Sequence, residues 1–126
     1  MRWLVLAGTG GAIGSLGRWG IAELLPRSSG GFPWATLIVN IVGCVAIGVA
    51  ARRLSPGSDE WRFVVTGLIG GFTTFSTFAN ETRELLEARP AVAVAYVAAS
   101  VGIGLAAVDA GFRLGRDESQ IRAVEP

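Results

Sequence analysis

The sequence predicts an all-α integral membrane fold of four transmembrane helices, with the third broken near mid-membrane. Three observations carry this expectation. Hydrophobic residues make up 51% of the 126, and charged residues only 17%, below the roughly 25% usual in soluble proteins. The mean hydropathy is +0.50. The charges gather between long apolar runs instead of being interspersed along the chain. A chain that crosses a bilayer distributes its charge in this way, and the whole of 1–126 reads as a single membrane domain.

The first apolar run covers residues 3–25, enough for the roughly 20 residues a spanning helix needs. Arg2 before an apolar stretch also fits a signal peptide, but no small-x-small cleavage site follows, and further spans do. Pro26 to Gly31 reads as a turn, and Pro33 sits near the first position of the second helix, where its missing N–H costs least. That second span, 33–54, closes on Arg52 and Arg53. Trp3, Trp34 and Trp61 all stand at run ends, where indole rings favour the membrane interface.

The third span, 61–88, is expected to break near 70–75. Gly70 and Gly71 followed by the β-branched Thr73 and Thr74 make a poor helix interior. Beyond Asn80 the pattern turns amphipathic, with Glu81, Arg83, Glu84 and Glu87, and it ends at Pro90. Non-helical backbone at membrane depth is tolerated only where protein buries it or it lines a cavity. The break is therefore the first candidate for a functional site. The fourth span is 90–114, rich in Ala, Val and Gly, and a polar tail occupies 115–126.

Several function classes fall away. Net charge is +1, all eleven basic residues are arginine, and no basic stripe is interleaved with aromatics, so no nucleic-acid footprint exists. The lone Cys44 excludes an internal disulfide, and no Cys/His cluster supports zinc or iron–sulfur. No P-loop is present, as expected of a passive pathway, and nothing marks an enzyme. Small residues recur four apart at Gly10/Gly14, Gly67/Gly71, Ser100/Gly104 and Gly111/Gly115, which lets helix backbones approach closely. Four helices enclose little interior, so these faces are expected to pack on a second subunit as well.

Polar residues inside the spans narrow the chemistry. An arginine at the centre of a span costs about 2.5–3.5 kcal/mol on insertion scales, so Arg18 either partners protein or water or snorkels to the interface. Asn40, in the second span, either bonds a neighbouring helix or lines a pathway. Phe75 and Phe78 share a helical face, with the hydroxyls of Ser76 and Thr77 alongside; the plainer alternative is a packing pair of aromatics. Ring edges, an amide NH2 and hydroxyls are donors suited to a small anion. A helix restarting near Thr74 would aim its positive end into the same region. Glu23, Glu81 and Asp109 lie near run ends, so no mid-span carboxylate supports a proton-coupled cation carrier.

Three segments in order, Gly10-Gly-Ala-Ile-Gly14 with Arg18, Thr36-Leu-Ile-Val-Asn40-Ile-Val-Gly43, and Gly70-Gly-Phe-Thr-Thr-Phe-Ser-Thr-Phe78, resemble the Fluc/CrcB fluoride channels. The resemblance runs from Gly10 to about Gly104. It implies an antiparallel dimer with two fluoride pores in the bacterial plasma membrane. It places Phe75 and Phe78 as pore phenylalanines, Asn40 as the pore asparagine, and Ser76 and Thr77 as polar residues of the same motif. Backbone carbonyls of Gly70 and Thr73 are implied to hold a central structural sodium ion (Na+). Arg18 matches the first-span arginine, with Glu81 as a further electrostatic position. Tyr96 and Ser100 match the fourth-span tyrosine and the start of a hydroxyl track. One departure stands out: Gly104 occupies the position where a second hydroxyl is common. The implied function is passive export of fluoride, which enters as neutral HF and dissociates in the near-neutral interior.

Charge addresses orientation. The N-terminus, second loop and C-terminus carry Arg2, Arg52, Arg53, Arg62, Arg113, Arg116 and Arg122, against Arg27, Arg83 and Arg89 in the other loops. The difference, 7 − 3 = 4, favours a cytoplasmic first group. A fixed bias admits a heterodimer with an oppositely oriented homologue; intact pore motifs favour the homodimer. A small multidrug-type four-helix exporter is the rival reading, but it calls for a carboxylate inside the first span, which here holds Arg18. A purely structural assembly protein would leave the broken span unexplained.

Overall fold

The computed structural model describes residues 1–28 and 30–116, and every described element is helical. Arg122 and the rest of the tail beyond 116 lie outside the described residues. Helix α1 spans Arg2–Leu24 and α2 spans Trp34–Arg53. A third helical segment begins with the short α3 (Asp59–Trp61), capped by the Ser58 hydroxyl, which accepts from Trp61 N–H. It widens into a π-helical stretch, Arg62–Ile69, and tightens again as α4, Gly70–Phe72. Thr73 and Thr74 are extended, helix resumes as α5 (Phe75–Ala88), and α6 (Pro90–Leu114) follows with Pro90 at its first turn. The two glycines remain helical. The interruption falls on the two threonines after them.

Helices pair through their glycines. A Cβ at Gly10 would overlap the Phe63 carbonyl, and one at Gly14 the Leu68 carbonyl, so α1 lies backbone to backbone on the π-helical stretch. Gly71 closes on Gly11 in the same way. On the other side, Gly48 of α2 meets the Val108 carbonyl, and Gly111 of α6 meets the Val45 carbonyl. Low residue numbers meet low numbers in both pairs, so α1 runs parallel to the third segment, and α2 parallel to α6.

Polar contacts fix the two ends. At one end Arg2 pairs with Asp59 at 2.7 Å, and Arg53 Nε donates to the Gly115 carbonyl at 3.4 Å. At the other, Arg27 Nη2 reaches Glu84 at 3.2 Å and Arg89 Nη1 donates to the Gly30 carbonyl at 3.2 Å. The start of α1, the loop after α2 and the end of α6 therefore share one end, while the loop after α1 and the α5–α6 corner share the other.

Little is buried. Leu37, Leu85, Ala93 and Tyr96 form the compact cluster, joined by Phe32, Ile41, Phe78 and Val92. Large apolar side chains such as Leu16, Trp19, Val94 and Leu105 face outward. Both α2 and α6 are long and apolar enough to cross a membrane on their own, and α1 has 23 residues. In lipid, outward-facing apolar side chains carry no solvation penalty, and small residues supply the close contact that holds the helices together.

Adding a single methyl tests this packing. Gly14→Ala must displace backbone atoms of Leu68 and Phe72, and overpacking of that kind costs about 1–3 kcal/mol. Gly8 has nothing within 4 Å of its Cβ position, so Gly8→Ala should be neutral or stabilising by about 0.5–1 kcal/mol. Thermal melting of the two variants in detergent is expected to move in those opposite senses.

Candidate functional site

A helix that stops at Phe72 leaves its last carbonyls without amide partners, and the extended pair that follows adds more. Side chains from two other helices meet them. Ser15 Oγ donates to the Gly71 carbonyl at 3.3 Å, and Arg18 Nη1 to the Thr73 carbonyl at 3.5 Å. Asn40 of α2 bonds Thr74 twice: its Nδ2 donates to the Thr74 carbonyl at 3.0 Å, and its Oδ1 accepts from Thr74 N–H at 2.9 Å. Arg18 thus partners backbone, and its positive charge stands at the negative end of the helix it caps. Thr73 Oγ1 turns back to the Ile69 carbonyl at 2.9 Å, while its methyl fills the space left by Gly43.

The restart of helix is equally built. Thr74 is buried and caps α5: its Oγ1 accepts from Thr77 N–H at 3.1 Å and donates to Thr77 Oγ1 at 2.9 Å. Ser76 Oγ lies 3.3 Å from the same hydroxyl. The positive end of a 14-residue helix therefore opens among three hydroxyls. Phe75 and Phe78 project from its first turn with ring centroids 6.0 Å apart, and Phe78 continues to Tyr96 at 5.2 Å. Phe75 is 80% exposed, and Gly70, Ser76 and Thr77 are exposed with it.

Tyr96 connects this aromatic row to a carboxylate. Its hydroxyl donates to Glu81 Oε2 at 2.8 Å, while Thr36 Oγ1 donates to Oε1 at 2.9 Å, and Arg27 stands 3.8 Å from Oε1. Although it follows the apolar part of its segment, Glu81 is only 13% exposed and anchors α2, α5, α6 and the loop after α1 at once. Ser100 Oγ is buried and lacks a hydrogen-bond partner among the described residues. Gly104, one turn further along α6, faces Ile41 and Cys44 of α2.

Two clefts flank the interruption. One, of about 280 Å³, lies toward α1 and is lined by Ser15, Arg18, Thr36, Thr74 and Thr77. The other, about 300 Å³, lies toward α2 and is lined by Asn40, Cys44, Thr73, Thr74 and Phe75 among others. Both are mainly apolar, with Trp19, Ala22 and Val39 in the first and Ile47 and Ile69 in the second; the polar groups that face them are hydroxyls, an amide and a guanidinium, with no carboxylate.

The structure brings Arg18, Asn40, Thr73, Ser76, Thr77, Phe75 and Phe78 to the interruption, and links Glu81 and Tyr96 to it through Phe78. Sequence reasoning did not single out Ser15, Thr36, Arg27 or the capping role of Thr74. Two of these had a signal: Ser15 and Arg18 are three apart on α1, and Thr36 and Asn40 four apart on α2. Polar pairs at those spacings mark one face of an otherwise apolar helix.

Comparison with known proteins shows which family the sequence matches. The family described as CrcB-like protein, Camphor Resistance (CrcB), matches residues 5–112. A protein of Paracoccus denitrificans named Fluoride-specific ion channel FluC is 48% identical over 110 residues, 85% of this chain and 89% of that protein. A protein of the same name in Agrobacterium fabrum is 45% identical over 121 residues, 90% of this chain and 96% of the relative. Another, from Nitratidesulfovibrio vulgaris, is 42% identical over 122 residues, 92% and 98% of the two chains.

The pair of hydrogen bonds between Asn40 and Thr74 carries a measurable expectation. Asn40→Leu leaves a buried amide and a carbonyl unpaired, at about 1–3 kcal/mol for each group. The melting temperature in detergent should fall clearly below that of the unaltered chain; an unchanged value would mean that Asn40 does not hold the interruption.

Proposed function

Because this chain belongs to the CrcB-like family, we propose that it is a fluoride-selective passive channel, a transporter and not an enzyme, that lets cytoplasmic fluoride leave the cell. The observation that carries the reading is the interruption itself: hydroxyls, phenylalanine edges and a helix N-terminus gathered where helix gives way to extended backbone. Fluoride holds its water tightly, so conduction demands donors that replace that shell within a narrow passage, which a wider chloride does not enter. Ser76, Thr77 and the edges of Phe75 and Phe78 supply such donors, and Asn40 fixes the backbone beside them. Tyr96 and Ser100 extend the polar row along α6. Arg18 adds positive potential on the α1 side.

The chain is read as crossing the plasma membrane four times, with the interruption near mid-depth. The parallel running of α1 with the third segment, and of α2 with α6, supports an alternation of crossings. The arginine bias favours a cytoplasmic location for the end that carries the start of α1 and the end of α6. A second, inverted copy is the proposed cover for the exposed Phe75, Ser76, Thr77 and Gly70; an oppositely oriented homologue is the alternative cover.

A structural sodium ion is proposed at the dimer centre on the carbonyls of Gly70 and Thr73. The Gly70 carbonyl fits: carbonyl oxygen is a hard donor, and the amide that would bond it in a continued helix, Thr74 N–H, goes to Asn40; the Thr73 carbonyl also accepts from Arg18 Nη1 at 3.5 Å, so sodium would share that oxygen with the guanidinium. One chain offers two such oxygens, so a second copy is needed to surround a cation. Bound there, sodium would neutralise the charge of the Gly70 carbonyl, which the interruption leaves without its amide.

Liposomes containing this chain alone, read with fluoride and chloride electrodes, test the proposal. Fluoride should leave quickly and chloride should stay. Changing Phe75 and Phe78 together to isoleucine should slow fluoride efflux by on the order of tenfold or more, a barrier increase of at least about 1.4 kcal/mol. Absence of fluoride efflux from folded protein would overturn the homodimeric channel, and adding an inverted homologue would then separate a missing partner from a wrong function. Epitope tags on the C-terminus are expected to report both orientations if one gene supplies both copies.

A further inference from the structure

We propose that Phe32, in the loop after α1, is a positioning residue of the pathway: it sets the plane of the Tyr96 ring and, through that ring, the orientation of Phe78. The inference rests on the channel reading above, in which ring edges serve as donors. The rings form one row from the interruption to the loop. Centroids lie 6.0 Å apart from Phe75 to Phe78, 5.2 Å from Phe78 to Tyr96, 5.5 Å from Tyr96 to Phe32 and 4.6 Å from Phe32 to Trp34.

Tyr96 is the fully buried member of the row. Its hydrogen bond to Glu81 fixes where the hydroxyl stands but not how the ring is turned about its long axis, and that torsion is intrinsically soft. Neighbouring side chains therefore decide the plane. A ring quadrupole distinguishes face from edge, which the aliphatic neighbours Leu37, Leu85 and Ala93 do not. Phe32 stands at 83° to Tyr96, the perpendicular arrangement that aromatic pairs favour, whereas Phe78 is tilted at 47°.

A phenylalanine that only filled the core could sit on a loop left to adjust. This loop is tied on both sides of Phe32. Before it, Arg89 Nη1 donates to the Gly30 carbonyl at 3.2 Å and Arg27 Nε to the Gly31 carbonyl at 3.0 Å. After it, Pro33 is fully buried, and Trp34 N–H donates to the Phe32 carbonyl at 2.9 Å. Arg27 also stands 3.8 Å from Glu81, the acceptor of the Tyr96 hydroxyl. One arginine thus braces both the loop that carries Phe32 and the carboxylate that holds Tyr96.

The chain has one tyrosine, so 3-fluorotyrosine places a single fluorine on the Tyr96 ring. In fluoride-free detergent, the line shape of that fluorine on warming reports how fast the ring turns. Unlabelled protein in liposomes gives fluoride efflux. Phe32→Leu and Phe32→Met keep an apolar side chain and remove the ring, and whichever of the two folds decides. Efflux should slow about fivefold, a barrier increase of about 1 kcal/mol, and the Tyr96 ring should turn faster. Phe32→Tyr, compared by efflux alone, keeps a ring and should restore the unaltered rate.

A folded Leu or Met variant with unaltered efflux, or with a Tyr96 ring that turns no faster, overturns the role of Phe32 and leaves the channel reading standing. A Phe32→Tyr variant as slow as the other two overturns it as well, since the ring would then not be what matters. Absence of efflux from the unaltered chain overturns the channel reading, and this inference with it.

Discussion

The rest of the structure depends on satisfying the backbone where helix stops at Phe72 and restarts at Phe75. In a medium without water, each unpaired amide or carbonyl costs several kcal/mol, so an interruption survives only if other groups reach it. Ser15 and Arg18 arrive from α1 and Asn40 from α2, while Thr74 closes the new helix on itself. Each helix must then be close enough, and in the right register, to deliver its side chain. That requirement explains the glycines better than flexibility does: Gly10, Gly14 and Gly71 bring α1 onto the third segment, and Gly43 admits the Thr73 methyl. Packing and polar satisfaction are one constraint here, met from both sides.

A second layer ties the interruption to one end of the bundle. Phe78 leans on Tyr96, and Tyr96 on Glu81, which also receives Thr36 and lies near Arg27. The carboxylate is nearly enclosed, and two hydroxyl donors and a nearby guanidinium from three other parts of the chain make that burial tolerable. The loop after α1, irregular in itself, is pinned through Arg27 and Arg89 to the Gly31 and Gly30 carbonyls. The orientation of Phe78 is thus referred to a rigid corner instead of resting on its own helix alone.

Much of this was legible in the sequence, for identifiable reasons. The helical class and the approximate helix limits followed from apolar run lengths and from Pro33 and Pro90, because those signals are local. The interruption was expected at 70–75, and it falls on Thr73 and Thr74; the glycine pair, suspected on propensity, stays helical, and Gly71 alone of the two approaches α1 closely. Arg18 and Asn40 were visible as costly polar residues, but their partners were not, since a backbone carbonyl carries no sequence signature. Glu81 was read as lying near a run end, and its enclosure by Tyr96, Thr36 and Arg27 depends on three elements distant in sequence. The π-helical stretch left no sequence signal that separates it from an α-helix of the same composition.

The shared end of α1 and α6 has a consequence for how such a chain could be duplicated. With Arg2 beside Asp59 and Arg53 beside Gly115, both extremities of the described helices lie on the same side of the bundle. Two copies joined head to tail by a short linker would emerge facing the same way. A single polypeptide carrying two mutually inverted copies would need one additional crossing between them, so gene fusion alone cannot turn an inverted pair into one chain.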